Sequence, residues 1–361
     1  MRIRIHNWNG KREPQSLSEL NQLEIARLSK VSQATVSRVL NGDNRVNQEV
    51  RDRVLSVVKE HDYAPNVRAQ ALRSKRSGIL GLVVHRDAGE LQQDPFFSPL
   101  IVAIMQAGIE RGFYLCVDTA RKVRSHRSIH EELLRTRRVD GLLLVESRDY
   151  DERIEWLCSQ NFPFVLIGRY GQNNNVYSVD NDNVAAGKTV TDQLICTGHR
   201  RIAFIGGPPG VNVSEDRKRG YLNSLLSHGL QVDMSLVLHG DFSSEGGVRC
   251  MRQILRQPER PDAVIAIDDL TAASCMQYAI TNGVQVPDAM GFVGFNDSKF
   301  CQFLSPTLSS VSVEIRDLAR FSTGMLIDLI EGKEVNPVHK IVPVSVQMRG
   351  STRNKLLVRT T

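Results

Sequence analysis

The stretch VSQATVSRVLN, residues 31–41, contains a short amphipathic helix with a start and an end signal. Ser32 is a typical N-cap and Asn41-Gly42 a typical helix end, so the pattern predicts a helix from Gln33 to Leu40. At about 100° per residue, its aliphatic side chains fall on one face. The opposite face is small, polar and ends in a cation, which suits a helix lying in the major groove of DNA. The alternative is an ordinary solvated helix. The residues of the polar face are Gln33, Ala34, Ser37, Arg38 and Asn41.

Two further helices are predicted around this segment. The first follows Ser18 as its N-cap and runs to Ser29, and Lys30-Val31-Ser32 then forms a break too short for an ordinary loop. The third runs from Gln48 to His61. Its inward residues are predicted to be Val50, Val54, Leu55, Val57 and Val58.

The net charge of +6 is unevenly distributed along the chain. Residues 1–77 hold 15 basic and 8 acidic side chains, whereas the rest of the chain holds 31 basic and 32 acidic ones. Such asymmetry indicates a polyanion-binding module attached to a near-neutral body. Nucleic acid is the favoured partner, and a membrane surface is a weaker one.

Several classes of protein are disfavoured by what the sequence lacks. No segment approaches the roughly 20 apolar residues of a membrane helix, and the first residues lack the apolar core of a secretory signal. The six cysteines form no CxxC pair and no metal-ligand spacing, which favours a reduced, cytoplasmic compartment without a metal site. The segment GGPPG at 206–210 lacks the GK[ST] of a phosphate loop, and neither HExxH nor GxSxG occurs. We therefore expect no enzymatic activity and no cofactor.

From Gly78 onward, short apolar runs alternate with helical segments. Continuous apolar strands of this kind indicate parallel sheets covered by helices on both faces. About 270 residues is too many for one such sheet, so two α/β lobes are predicted, with a lobe change near Ser178–Asp182. The clearest runs are Gly78–Val84, Asp140–Val145, Pro163–Ile167, Arg201–Gly206, Ala263–Ile267 and Gly291–Phe295.

The loops that follow these strands carry aromatic, guanidinium, carboxylate and amide groups. Ligands of open α/β sheets bind at the carboxyl ends of the strands. A polar ring compound such as a sugar or nucleobase fits this set, because rings stack on aromatics while carboxylates and amides bind hydroxyls or amines. The loop residues are Asp94, Phe96, Phe97, Gly168, Arg169, Arg217, Asp241, Phe242, Asp268, Asp269, Asn296 and Asp297.

The segment from Val31 to Asn66 closely resembles the helix-turn-helix of the LacI/GalR (lactose-repressor and galactose-repressor) family. The matching pieces include ATVSRVLN at 34–41 and Tyr63 with Pro65-Asn66. The resemblance implies that Gln33 and Ala34 read bases with help from Arg38, and Gln-adenine and Arg-guanine pairing agrees with this. Thr35, Ser37 and Asn41 then suit phosphate contacts, and Arg45 suits either role. Lys30 stands where the family often has glycine, so its Cβ is expected to strain the turn slightly.

The same resemblance assigns residues 66–73, NVRAQALR, to a hinge helix. A helix this short is marginal alone in water, and the family folds it on DNA beside the hinge of a second subunit. Leu72 matches the leucine that wedges into a minor-groove step, and Ala69 matches the small residue beside it. Asn66 begins this DNA-binding segment. The alternative is a basic linker with an incidental leucine.

The body resembles the family's effector-binding core, which is related to periplasmic sugar-binding proteins. By position, Phe97 and Phe242 would flank the effector, Arg217 would donate to it, and Asp268 and Asn296 would meet its polar edge. Phe96 and Arg169 complete the expected effector-binding set. The family commonly has Asn at position 268 and Asp at 296, the reverse of this chain. Gly168 and Val313 replace polar residues of some relatives, so an anionic or phosphorylated sugar stays open.

The sequence therefore predicts a cytoplasmic, nucleoid-associated transcription regulator, with repression the commoner mode in the family. Its fold class is α/β, an all-α helix-turn-helix domain followed by a two-lobed, parallel-sheet, periplasmic-binding-protein-like effector domain. We expect a homodimer or tetramer on double-stranded operator DNA, controlled by a sugar-like effector without membrane association. The rival hypotheses are a sugar-transport receptor and an α/β enzyme such as a sugar kinase or hydrolase. The predicted segments are an N-terminal extension (1–16), the helix-turn-helix (17–65), hinge and linker (66–77), body (78–350) and tail (351–361).

Overall fold

The structure, a computed structural model, describes residues 21–40, 42–63, 76–84, 86, 88–119, 129–171 and 175–353. The chain divides into two compact units, one ending at Arg76 and one beginning at Ser77. Within the described part, no helix combines the length and apolar character needed to cross a bilayer.

Among its described residues, the first unit has three helices around a small apolar core. They are α1 (Gln22–Leu28), α2 (Gln33–Leu40) and α3 (Gln48–Glu60). The predicted bounds of α2 are confirmed, and Thr35 N donates to Ser32 Oγ at 3.2 Å, as expected of an N-cap. The cap of α1 is Asn21, which forms a capping box with Glu24, whereas Ser18 lies outside the described residues. The buried core residues are Ile25, Ala26, Val36, Val39 and Val54.

One predicted inward residue of α3 is wrong. Leu55 is 44% exposed, whereas Val54 beside it is fully buried. Successive helical residues are separated by about 100°, so a helix that meets the core along a narrow line cannot bury both.

The turn between α1 and α2 is left-handed at Lys30, with φ of 53°. Val31 N donates to Ala26 O at 3.0 Å, and Lys30 N donates to Arg27 O at 3.2 Å. These are the two bonds of a Schellman motif, in which glycine usually occupies the position of Lys30. The strain expected of a Cβ at this position is therefore present in the fold.

The first lobe of the body is a six-stranded, fully parallel sheet in the order β11-β5-β4-β3-β1-β2. Its strands are β1 (Ile79–Val84), β2 (Tyr114–Thr119), β3 (Gly141–Val145), β4 (Phe164–Ile167), β5 (Ser178–Asn181) and β11 (His339–Val342). Its helices are α4 (Ala88–Gln93), α5 (Phe97–Ile109), α6 (Ile129–Arg135), α7 (Glu152–Ser159) and α12 (Ile315–Ile330). Apolar clusters on both faces of the sheet form its core.

The second lobe is a six-stranded sheet in the order β12-β10-β9-β8-β6-β7, parallel except for β12, which pairs antiparallel with β10. Its strands are β6 (Ile202–Gly206), β7 (Val237–His239), β8 (Ala263–Ala266), β9 (Gly291–Phe295), β10 (Ser309–Ser312) and β12 (Ser345–Gln347). Its helices are α8 (Asn183–Cys196), α9 (Asn212–Ser227), α10 (Ser244–Leu255) and α11 (Asp269–Thr281). Helices α8 and α9 cover one face, and α10 and α11 cover the other.

The predicted two-lobed α/β architecture is confirmed, and the first lobe change lies between β5 and α8, as expected. The chain then crosses between the lobes twice more, between β10 and α12 and between β11 and β12. These later crossings, and the antiparallel edge strand β12, were not predicted. Each lobe is consequently built from segments that are distant in the sequence.

Candidate ligand site and nucleic-acid interface

Helix α2 presents the predicted polar face. Gln33, Ala34 and Arg38 are exposed, Thr35 and Ser37 are half-buried, and the opposite face packs into the core of the first unit. The exposed side chains are donors, an acceptor and a methyl group of the kinds that read base edges in a major groove. Four further predicted DNA contacts, Asn41, Asn66, Ala69 and Leu72, lie outside the described residues.

Arg45 is held beside this helix by an ion pair with Asp43. Its Nη2 lies 2.8 Å from Asp43 Oδ2, and its Nε lies 3.0 Å from Oδ1. The hydrogen bond from Arg45 lowers the pKa of the Asp43 carboxyl to about 2. Arg51 Nη2 also donates to Asp43 O at 2.7 Å. The guanidinium of Arg45 is 86% exposed despite this pairing, so it can approach a phosphate or a base without moving the backbone.

A cavity of about 690 Å³, counting its open mouth, lies between the two lobes at the carboxyl ends of their strands. Both lobes supply its walls. Its polar and aromatic lining comprises Arg86, Asp94, Phe96, Glu146, Ser147, Arg169, Asp180, Asn181, Asn183, Asn212, Arg217, Phe242, Asp268 and Asn296. Within the described chain, no group of three His, Cys, Asp or Glu side chains could hold a metal ion.

Arg217 is a buried cation in the wall of this cavity. It is 6% exposed and lies on α9 with its guanidinium 4.1 Å from the centre of the Phe295 ring. Its Nε donates to Asn183 Oδ1 at 3.0 Å and its Nη1 donates to Ile267 O at 2.6 Å. Burial lowers the pKa of Arg217 to about 10, although the neighbouring carboxylates oppose this shift. Arg217 is therefore fixed by the protein before any ligand arrives.

Two carboxyl groups, the buried Asp268 and the half-buried Asp180, line the same space. Asp268 is the N-cap of α11, because its Oδ1 accepts from Thr271 N at 2.7 Å, and Asp180 Oδ1 accepts from Asn183 Nδ2 at 3.0 Å. Desolvation raises the pKa of each carboxyl to about 7. Asn296, at φ of 102°, completes the polar edge, in a region of backbone space that few residues other than glycine adopt.

The pH dependence of stability follows from these carboxyls. Because their folded pKa values, about 7, lie above the ordinary 3.8, the native state binds more protons than the unfolded state between those limits. We therefore expect the melting temperature of the ligand-free protein to rise as the pH is lowered from about 8 towards 5. The Asp180→Asn variant should lose part of that rise in differential scanning calorimetry. A wild-type melting temperature that falls over this range would contradict the burial argument.

The carboxamide oxygen of Asn212 is the clearest unmet hydrogen-bonding group of the cavity. Asn212 is 2% exposed, and its Oδ1 has no hydrogen-bond partner among the residues that the structure describes. Its Nδ2 donates to Ser147 Oγ at 3.0 Å, so the orientation of the amide is fixed. A buried acceptor without a donor costs about 1–3 kcal/mol. A ligand that brings a donor to this point recovers that cost.

Contacts between the lobes close one side of the cavity. Arg169 Nη2, from the first lobe, lies 2.8 Å from Asp216 Oδ1 of the second. Asn212 N also donates to Ser147 O at 2.9 Å, and Arg148 Nη1 donates to Pro209 O at 2.9 Å. The lobes are therefore held together by polar bonds that water can replace when they separate.

The structure places six of the seven predicted effector residues in the lining and one outside it. Phe97 is fully buried in the core of the first lobe, and the neighbouring Phe96 lines the cavity instead. The guanidinium of Arg86 lies between the two lobes, 5.1 Å from the centre of the Phe97 ring and 4.3 Å from that of Phe242. The six in the lining are Phe96, Arg169, Arg217, Phe242, Asp268 and Asn296.

Several cavity residues were missed, above all Arg86, Glu146, Asp180 and Asn212. Arg86 and Glu146 closely follow β1 and β3, so the rule that located the other loops could have found them. The signal for Asn212 was weaker, because it is the first residue of α9 and does not directly follow a strand.

Comparisons with known proteins agree with this architecture. The family model described as "Bacterial regulatory proteins, lacI family" matches residues 23–66, and the "Periplasmic binding protein-like domain" model matches residues 191–352. The HTH-type transcriptional regulator CelR of Thermobifida fusca is 33% identical over 329 residues, which cover 91% of this chain and 96% of CelR. The chain belongs to the LacI family of bacterial regulatory proteins.

Other members of the LacI family extend this comparison. The HTH-type transcriptional repressor CytR of Escherichia coli K12 is 29% identical over 332 residues, or 91% of this chain and 95% of CytR. A solved CelR-cellobiose complex superimposes with a TM-score of 0.71 at 32% identity, covering 92% of this chain and 99% of that one. The lac repressor dimer bound to operator and the anti-inducer ONPF shares the fold, with a TM-score of 0.79 at 24% identity over 92% of this chain and 99% of that one. The predicted family, fold class and role in transcription regulation are confirmed.

Proposed function

We propose that this LacI-family regulator binds a sugar or sugar derivative between its lobes and that the bound effector changes its affinity for operator DNA. The observation that carries the sugar assignment is the unpartnered, buried Oδ1 of Asn212. The cations of the cavity are already engaged: Arg86 with Asp94 and Glu146, Arg217 with Asn183 and Ile267, and Arg169 with Asp216. The unmet capacity is therefore for accepting hydrogen bonds.

A polyhydroxylated ring suits a cavity that has acceptors to fill and whose cations are already paired. Hydroxyl groups supply several donors without a net charge, and an apolar ring face can lie against Phe96, Phe242 or the aliphatic wall. The relative named in the CelR-cellobiose complex supports a carbohydrate ligand. Repression is the proposed mode, in line with the name of CytR. A binding function without turnover is proposed because these relatives are named as regulators.

The proposed assembly is a homodimer on a two-fold operator. Helix α5 and strand β2 of the first lobe expose a row of apolar side chains, which is typical of a surface that binds another protein. A second copy is the proposed occupant, because two helix-turn-helix units related by a two-fold axis read two half-sites. Because operator DNA is the proposed target, the proposed location is the cytoplasm, associated with the nucleoid. The exposed residues are Val102, Met105, Ile109, Tyr114 and Val117.

A thermal-shift screen of neutral sugars on the full chain tests the effector assignment. Each sugar that raises the melting temperature is then added to an operator-binding titration at fixed salt. We expect a change in operator affinity of about 5–150-fold, with two chains bound per duplex. Asn212→Ala should lose the sugar response, whereas Asn282→Ala, on the exposed end of α11, should keep it. Sugar binding that leaves operator affinity unchanged would contradict the proposal.

Base reading by α2 is tested at Gln33. Gln33→Ala removes a side chain that can bond bidentately to adenine, so the preference at one operator position should fall by about 1–3 kcal/mol. Selection from a library of randomised operators measures this preference for each position. Gln160→Ala, an exposed change on the body, is the matched control. Identical base preferences for Gln33→Ala and the wild type would rule out this role.

A further inference from the structure

A second cavity of about 1100 Å³ of empty space, including its opening to solvent, adjoins the first. We call it the outer chamber and the effector cavity the inner chamber. Four residues line both: Arg86, Glu146, Ser147 and Phe242. Both lobes again contribute walls. The residues that line the outer chamber alone are Gln93, Arg148, Arg153, Pro208, Val211, Asp241 and Ser243.

The boundary between the chambers is the contact of Arg86 with Phe242. The guanidinium of Arg86 lies over the Phe242 ring and is fixed from behind by Asp94, whose Oδ2 lies 2.6 Å from Nη1. Phe242 has a left-handed backbone at φ of 63°, and the tip of its ring rests against Gly207, where a Cβ would lie 2.5 Å from Cζ. A ligand that extends past this contact therefore reaches a second set of side chains.

The two chambers differ in charge. The inner chamber has three arginines facing four carboxyl groups, whereas the outer chamber has three arginines facing two. Arg148 has no ion pair among the described residues, and its guanidinium donates a hydrogen bond to Pro209 O. Of the two acids of the outer chamber, Asp241 is already paired with Arg249 at 2.5 Å, and Glu146 is paired with Arg86. Arg86 and Arg153 have carboxylate partners as well, so the uncompensated cation of the outer chamber, within the described chain, is Arg148.

Arg153 adds an unused donor to this surface. Its Nε and Nη2 bind Asp151 at 2.8 and 2.6 Å, and Nη2 also donates to Glu146 O at 3.0 Å. Its Nη1 is buried and has no hydrogen-bond partner in the described part of the chain. A buried guanidinium nitrogen without an acceptor is costly, and a carboxylate or phosphate oxygen is the acceptor that guanidinium binds most strongly.

We propose that the outer chamber binds an acidic substituent of the effector, a carboxylate or a phosphate ester, through Arg148 and the free Nη1 of Arg153. This inference rests on the proposed function, because the sugar ring would occupy the inner chamber. The acceptor-rich inner chamber binds the hydroxyl groups, and the cationic outer chamber binds the acid. The effector is then an acidic sugar held in one orientation.

Binding in the inner chamber is distinguished from binding in the outer chamber by comparing a neutral sugar with its carboxylate and phosphate derivatives. Titration calorimetry on the full chain compares glucose, glucuronate and glucose 6-phosphate, and likewise galactose, galacturonate and galactose 6-phosphate. We expect one acidic member to bind at least tenfold more tightly than its neutral parent. That gain in affinity should shrink as salt rises from 50 to 500 mM, because dissolved ions screen the attraction between exposed charges. The screening (Debye) length is about 10 Å at 0.1 M and shortens as salt is added. The carboxylate and phosphate members identify which acid is bound.

Arg148→Gln tests the assignment to the outer chamber. The ratio of acidic to neutral affinity should fall towards one in this variant, and should stay at the wild-type value in Arg256→Gln, a change of equal charge on the exposed end of α10. The use of a ratio corrects for the lost bond to Pro209. An unchanged ratio in Arg148→Gln would overturn the inference.

The outcome for the neutral sugars distinguishes this inference from the proposed function. If a neutral sugar binds and alters operator affinity while no acid binds more tightly, the proposed function stands and the acidic extension is overturned. If no member of either trio binds while operator DNA still does, the acidic extension is overturned, and the thermal-shift screen of neutral sugars decides the proposed function.

Discussion

Replacing Arg217 by methionine is expected to lower the free energy of unfolding of the protein by about 3–5 kcal/mol, the usual cost of removing one partner from a buried charge cluster. Arg217 interacts electrostatically with the carboxyl groups of Asp180, Asp268 and Asp269. Without it those groups face one another. The bonds to Asn183 Oδ1 and Ile267 O, at 3.0 and 2.6 Å, are lost as well.

Urea unfolding followed by circular dichroism measures this loss, with effector binding as a second readout. The deficit should shrink between pH 7.5 and 5.5, because the pKa values of Asp180 and Asp268, about 7, allow both to become neutral in that interval. Arg256→Met is the matched control, since Arg256 is exposed and forms no ion pair within the described chain. If Arg217→Met loses less free energy of unfolding than Arg256→Met, Arg217 is not needed for stability.

The second large effect is expected at Gly187, where α8 and α9 approach backbone to backbone. A Cβ at this position would lie 2.2 Å from Arg217 O, which no rotamer change can relieve. Gly187→Ala must therefore push the helices apart, at a cost of about 1–3 kcal/mol or more. The bond between Arg217 and Asn183 links the same two helices, so ligand affinity should fall with stability.

Gly324→Ala is a control that is expected to raise stability, whereas Gly187→Ala is expected to lower it. Gly324 lies within α12 with nothing within 4 Å of a Cβ, so alanine there should stabilise the helix by about 0.5–1 kcal/mol. Thermal unfolding and effector titration of both variants decide the question. Equal effects of the two substitutions would mean that close helix packing does not support the site.

Much of the fold was predictable because its signals are local. The bounds of α2 follow from a cap, an apolar face and an Asn-Gly end, and the six central apolar runs all became strands. The exposed polar face of α2 followed from the same helical periodicity. These features depend on residues close together in the sequence, and local sequence patterns predict structure over that distance.

The return of the chain to the first lobe was not predictable in this way. Strand β11 pairs with β5 across about 160 residues of sequence, and its own residues, His339–Val342, form no continuous apolar run. Helix α12 has an amphipathic pattern that would suit either lobe. Only the packing of α12 on β3, β4 and β5 decides between them.

The cavity lining was predictable by position but not by side-chain direction. Phe96 and Phe97 are neighbours at the start of α5, and the helical step turns one towards the cavity and the other into the core. The unpartnered Oδ1 of Asn212 was beyond sequence reasoning, because it depends on which groups the other lobe brings near. The reversal of Asp268 and Asn296 keeps a cap on α11, since aspartate and asparagine serve equally as N-caps.

The three crossings between the lobes also set the order in which parts of the protein are completed during synthesis on the ribosome. The first lobe lacks α12 and β11 until residue 342 has been synthesised, although its first strand begins at residue 79. The second lobe needs only β12, ending at residue 347, to complete a sheet whose other strands are continuous from residue 202 to 312. A nascent chain therefore carries its DNA-reading unit, and most of its second lobe, well before the cleft exists. A polypeptide truncated before residue 339 would still contain the α2 helix. It would lack β11, the edge strand that completes the sheet of the first lobe.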